Sequence, residues 1–324
     1  MDLWWMLPYN SIPDISGFKV VGYYPSWEPI KTDRIQYDIL THINYAFAIP
    51  TPDASLLPLQ NAYIAEYIIQ EAHLRGVSVL LSVGGWSYEE IPLEATFMAA
   101  TDTPEKIAQL GDAIVDMAVK YGFDGVDIDW ELPRNNDTSR QRYEGLMLYL
   151  CARLHKRDML LTTAVIGGVT PEGTVLEDTA AYTDAVLDCV DWINVMAYDG
   201  GEGRKHSPYS FAVMSAKYWR DTRKVPANKI VLGVPFYGRP YGLSYAEILE
   251  INPYAYACDM ININGTAVYY NGIPTIQAKT WWALNNVGGI MIWELSEDTT
   301  DISRSLQEAI GNSVRSYMSW KTQE

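Results

Sequence analysis

The chain has 324 residues, 48% hydrophobic and 20% charged, with a net charge of −16. Two domains could fit that length, but so could one α/β barrel of roughly 250 residues with insertions. The charge argues against nucleic acid, whose phosphates call for clustered Lys and Arg, and favours a neutral or cationic substrate over a polyanion.

In chain order, Met1–Tyr9 is partly apolar but carries Asp2 where an export signal wants positive charge. Residues 1–17 therefore read as a leader or vector-derived remnant, and residues 18–318 as one catalytic barrel. No apolar run nears the roughly 18–20 residues that span a membrane. Apolar and β-branched runs predict strands at Lys19–Tyr24, Thr41–Phe47, Ser78–Val83, Gly125–Trp130, Leu160–Ile166, Trp192–Ala197, Ile230–Pro235 and Gly289–Trp293. Helical periodicity lies between them, as in Ala62–Leu74, Pro104–Tyr121, Arg142–His155 and Met214–Thr222. Eight strands alternating with helices predict a parallel sheet closed into a (β/α)8 TIM barrel. An open doubly wound sheet is the alternative, but no glycine-rich dinucleotide-binding turn follows the first strand. Between the seventh and eighth strands, Arg239–Ile273 exceeds a connecting helix and reads as a short excursion over the barrel mouth.

The segment Asp124-Gly-Val-Asp127-Ile-Asp129-Trp-Glu131 carries the chemistry. On a strand, alternate residues share a face, so Asp127, Asp129 and Glu131 point one way and Val126, Ile128 and Trp130 the other. The apolar set suits the helical shell, which turns the carboxyls into the barrel. Acids about 6–7 Å apart in a desolvated setting repel, an arrangement that raises protonation and suits acid–base work. Glu131 ends its strand at the side where barrels place catalytic groups. A divalent metal is the competing reading, but no second acidic cluster supplies further ligands, and the four histidines lack metal spacing. No metal or cofactor is expected. Cys151, Cys189 and Cys258 make an odd, scattered set without a disulfide framework and read as buried thiols, with one bridge as the alternative.

These residues resemble the DxxDxDxE signature of the family-18 glycoside hydrolases, the chitinases and their relatives. Other segments resemble the same family in the same order: Gly22-Tyr23-Tyr24-Pro25-Ser26-Trp27, Ile43-Asn44-Tyr45-Ala46-Phe47, Ser82-Val83-Gly84-Gly85-Trp86, Met196-Ala197-Tyr198-Asp199, Tyr237-Gly238-Arg239 and Trp293. The resemblance implies a retaining hydrolase of β-1,4-linked N-acetylglucosamine polymers (chitin and its oligosaccharides), acting by substrate assistance through an oxazolinium intermediate. Glu131 would be the proton donor. Asp129 would hold the acetamido N–H and share a proton with Asp127, and Tyr198 would bind the acetamido oxygen. Trp293 would form the floor, with Tyr23, Phe47, Met196 and Tyr237 as walls. Trp27 and Trp86 would stack on flanking sugars, and Asp199 and Arg239 would bind sugar oxygens.

Where many relatives carry a full α+β insertion domain between strands seven and eight, residues 240–272 are too few for one, which implies an open cleft and endo-acting cleavage. The expected partners are chitin oligosaccharides, without nucleic acid or membrane, for a secreted monomer. Alternatives on the same fold are an endo-β-N-acetylglucosaminidase, a peptidoglycan hydrolase, or a non-catalytic chitin-binding lectin.

Overall fold

The period-2 alternation along Gly125–Trp130 is realised in the computed structural model, which describes residues 17–322. The expected leader lies almost wholly outside the described residues. Val126, Ile128 and Trp130 are buried against the helices, while Asp127 and Asp129 are buried in the barrel lumen. Trp130 stacks on Phe97 with ring centroids 4.6 Å apart, and Tyr143 meets it edge-on at 5.8 Å. Such aromatic pairs contribute about 1 kcal/mol each beyond burial and fix the strand's rotation.

Eight parallel strands close into a barrel in chain order: Lys19–Pro25, His42–Ala48, Ser78–Gly85, Gly125–Trp130, Leu160–Ile166, Trp192–Met196, Ile230–Pro235 and Gly289–Trp293. The first strand pairs with both the second and the eighth, which seals the ring. The strands therefore match their expected positions to within two residues at either end.

Helices differ more. The helix expected at Arg142 begins at Asp137, because Asn136 caps it by accepting from the Ser139 N–H and its polar first turn has no apolar rhythm. Tyr209–Lys217 is α-helical and widens to a π-turn over Tyr218–Thr222, where one helix over 214–222 was expected. The final helix, Leu306–Lys321, packs beside Ile273–Asn286.

Between strands seven and eight the excursion consists of two small antiparallel pairs, Tyr237–Gly238 with Leu243–Ser244 and Met260–Ile263 with Thr266–Tyr269, plus the helix Tyr245–Ile251. Its size matches the short excursion read from the sequence. All three cysteines are free thiols, as expected over a bridge; Cys151 and Cys189 are only half-buried and Cys258 is exposed, so none is the buried thiol the sequence suggested.

Candidate active site

The carboxyl row of the fourth strand ends in a cleft of about 1130 Å³ at the C-terminal mouth of the barrel. Asp129 and Glu131 open into it, as do Tyr23, Met196, Tyr198 and Trp293. Trp86, Asp199, Tyr237 and Arg239 complete the wall. Three of the expected contacts stand back from this space. Asp127 lies beneath it in the lumen; Phe47 is buried behind Trp293, its ring stacked on the indole at 5.8 Å; Trp27 is half exposed, 6.2 Å from Phe47. Asp124, the first acid of the row, sits at the opposite end of the strand. It takes the Val79 N–H at 2.7 Å and pairs with His73 at 2.8 Å, outside the cleft.

Asp127 is fully enclosed and caged by four donors: Tyr23 Oη and Ser82 Oγ on one oxygen, each at 2.8 Å, and Thr162 Oγ1 at 2.6 Å and Asn194 Nδ2 at 3.1 Å on the other. Burial pushes this carboxyl up, and the four hydrogen bonds oppose that. No hydrogen bond joins Asp127 to Asp129: the four donors of the cage hold the Asp127 oxygens, and Asp129 Oδ1 is buried with no hydrogen-bond partner. Asp129 is held well above the carboxylate range by burial, then by the charges of Glu131 and Asp127. Glu131 is raised to about 7, by burial first and then by the charge of Asp199.

Two glycines make this geometry possible. Gly84 and Gly85 have φ of +119° and +94°, and a Cβ on Gly84 would overlap the Asp129 carbonyl, while one on Gly85 would strike the Phe47 ring. They let the third strand approach the acid row.

The wall beyond the sixth strand is ionic. Asp199 sits at φ +52°, a left-handed conformation that aspartate tolerates, just past the sixth strand. Its carboxylate accepts from Tyr237 Oη at 2.7 Å and from Arg239 Nε and Nη2 at 2.8 and 2.6 Å. Burial raises Asp199, but the bonds from Arg239, His206 and Tyr237 outweigh it and hold the carboxyl well below its usual range. Arg239, read as a donor to substrate, thus spends its forked face on Asp199 and lies over the Tyr237 ring. Tyr198 stays a phenol, raised by burial and by the neighbouring Tyr237, Asp129 and Glu131.

A family model described as glycosyl hydrolases family 18 matches residues 19–298. The chain belongs to family 18. Among curated relatives, a chitinase-like effector of Moniliophthora roreri is 28% identical over 74% of this chain and 63% of its own length. Chitinase A1 of Niallia circulans is 26% identical over 87% of this chain and 57% of its own. This chain thus spans less than two thirds of those relatives. The solved family-18 chitinase ChiB of Flavobacterium johnsoniae superposes with a TM-score of 0.79 at 29% identity, covering 93% of this chain and 94% of that one.

Within this family-18 cleft, several residues lay beyond the sequence reading. Thr162 and Ser82 complete the Asp127 cage from neighbouring strands; Ser82 stood in a segment that resembles the family, but its role was not read, and the only signal of Thr162 was an inward position by alternation. Glu202 and Glu297 line the cleft, and His206 touches Asp199 from a loop. None of these three carried a sequence signal. Among the described residues no group of His, Cys, Asp and Glu is arranged to hold a metal ion.

Proposed function

We propose that the chain is a retaining chitinase, cleaving β-1,4-linked N-acetylglucosamine polymers by substrate assistance. The observation that carries this reading is the buried, partnerless Asp129 Oδ1 beside a Glu131 raised to about 7. A carboxyl near neutrality can hold a proton for the glycosidic oxygen, and an enclosed acceptor is complementary to an incoming N–H. Glu131 protonates the leaving oxygen. The substrate's acetamido oxygen attacks the anomeric carbon, and the resulting oxazolinium is opened by water that Glu131, now a base, activates with net retention. The scheme is an exception to two-carboxylate hydrolysis.

Asp129 receives the acetamido N–H on its buried Oδ1. Tyr198, a phenol in the wall, donates to the acetamido oxygen. Trp293, with Tyr23 at 5.4 Å and Phe47 behind it, supplies the apolar floor for a sugar face. Trp27 and Trp86 stack on sugars to either side. The low excursion between strands seven and eight supports an open cleft, endo-acting on a chain entered away from its ends. No helix among the described residues is long and apolar enough to cross a membrane; an insoluble extracellular substrate supports a secreted enzyme, acting as a monomer. A non-catalytic lectin is disfavoured because the acid, its raised titration and the orphaned acceptor would have no use there.

The test is hydrolysis of N-acetylchitooligosaccharides by the wild type and Glu131→Gln, with the product anomer followed by NMR. Initial β-anomer from the wild type, and binding without turnover by the variant, is the expected result. Binding without cleavage by both proteins would replace this reading with the lectin one. Cleavage of glycoprotein glycans or peptidoglycan alone would replace the substrate class.

A further inference from the structure

His206 is buried, 1% exposed, in the loop that follows the sixth strand, behind the ionic wall of the cleft. Its Nε2 lies 3.2 Å from the Tyr237 carbonyl oxygen, which can only accept, so Nε2 carries a hydrogen. Its Nδ1 lies 3.0 Å from Asp199 Oδ1 and 3.4 Å from the Asp199 N–H. Tyr237 in turn donates its hydroxyl to Asp199 Oδ2, and the two rings are 5.0 Å apart. The three residues form a closed cycle in which each holds the other two.

The loop that presents His206 is itself pinned. Ser207 Oγ donates to the Ala197 carbonyl at 2.9 Å. The buried Lys279 donates to Ser207 O at 2.8 Å and to its Oγ at 2.7 Å, and Asn271 Nδ2 to Ser207 O at 2.9 Å. A ring needed only for packing would not require nitrogens aimed at two specific oxygens, or a buried lysine to fix the residue that follows it.

We infer that His206 is a positioning residue, clamping the Asp199 end of the sixth strand to Tyr237 and so fixing a carboxylate that lines the cleft with Glu131. The inference rests on the chitinase reading for its kinetic readout. The titratable and charged groups facing His206 are Asp199, Tyr237 and Arg239, with Lys279 behind Ser207. Those acting on or acted on by Glu131 are Asp129, Asp199, Tyr198 and Tyr182.

The experiment compares His206→Asn with His206→Gln across pH on N-acetylchitooligosaccharides. Asn places an N–H near the Nδ1 position and keeps Asp199 held; Gln reaches the Nε2 position and keeps only Tyr237. H206Q is expected to lose about tenfold in kcat with a smaller change in KM. It leaves Asp199 less compensated, which moves the basic limb up by about half a pH unit. H206N is expected to keep the wild-type limb. Equal losses in both variants with unmoved limbs, or no loss in either, would overturn the inference. Should either variant fail to fold, imidazole 15N NMR of the wild type and Asp199→Asn decides: the His206 Nδ1 signal must shift on that substitution, and an unchanged signal sinks the proposal. A wild type inactive on these oligosaccharides would defeat the chitinase reading while leaving the NMR result standing.

Discussion

Asp199 and Glu131 line one cleft from the ends of strands two places apart in the ring, and the charge of the first raises the carboxyl of the second. Neutralising Asp199 therefore lowers Glu131. For a general acid the enzyme works below that group's pKa, so the basic limb of kcat/KM, expected near 7, should move to lower pH in Asp199→Asn. A pH–rate profile on a soluble oligosaccharide checks this, and an unmoved or raised limb would remove Asp199 from the electrostatics of the acid.

The same burial makes Glu131 a liability to the fold. Its folded pKa stands at about 7 against an ordinary 4.5, so the native state holds its proton more tightly than the unfolded chain does. That contribution is fully present below 4.5 and is lost as pH rises through 7. Glu131→Gln should therefore be more stable than the wild type at pH 8 by on the order of 3 kcal/mol, and nearly equal to it at pH 4. Denaturant unfolding at the two pH values measures the difference.

Asp298 makes a contrasting use of a buried acid. It is fully enclosed and accepts from Ser305 Oγ at 2.7 Å, Leu306 N at 3.0 Å and Gln307 N at 2.9 Å, tying down the start of the final helix. Asp298→Ala leaves those donors unpaired in the interior and should cost about 2–4 kcal/mol. Calorimetry would register this as a lower Tm; an unchanged Tm would mean that water replaces the carboxylate.

Trp27 and Trp86 are 47% and 59% exposed, unlike the buried Tyr23 and Phe47, which suits the proposed role of stacking on sugars that flank the cleavage point. Replacing either with Ala should slow turnover of polymer and long oligosaccharides by about tenfold, the equivalent of one stacking contact of 1–1.5 kcal/mol. The shortest cleavable oligosaccharide should be nearly unaffected. Equal losses on both would place the two indoles in the fold instead.

The low excursion predicts how products accumulate. Two short antiparallel pairs and one helix form the excursion, which under the proposed open cleft leaves the polymer free to dissociate between cuts. Early products should be a spread of lengths, and chromatography dominated by dimer from the first time points would contradict an endo-acting cleft.

The strands were legible because each needs only its own alternation, as Gly125–Trp130 shows: three apolar residues outward, two acids inward, with no reference to the rest of the chain. Glu131 could be placed at the mouth for the same reason. The pairing of Asp127 could not. Its partners Tyr23, Ser82, Thr162 and Asn194 come from four other strands, and an inward acid can equally share a proton with its neighbour or be caged. Arg239 misled in a related way: its position beside the cleft was readable, but its engagement with Asp199, 40 residues earlier, depends on how two loops meet. His206 had no local pattern at all, since its meaning lies in two atoms of other segments.

The seam of the barrel runs beneath the floor of the cleft. Gly289–Ile292 pairs with Lys19–Gly22, and Trp293 just beyond rests on Tyr23 and Phe47. The floor is therefore shared between residues 23 and 47 on one side of the seam and residue 293 on the other. A chain whose eighth strand has not yet paired with its first carries the acid row of Glu131 without the Trp293 indole above the lumen. Closing the ring and completing the cleft are thus a single event.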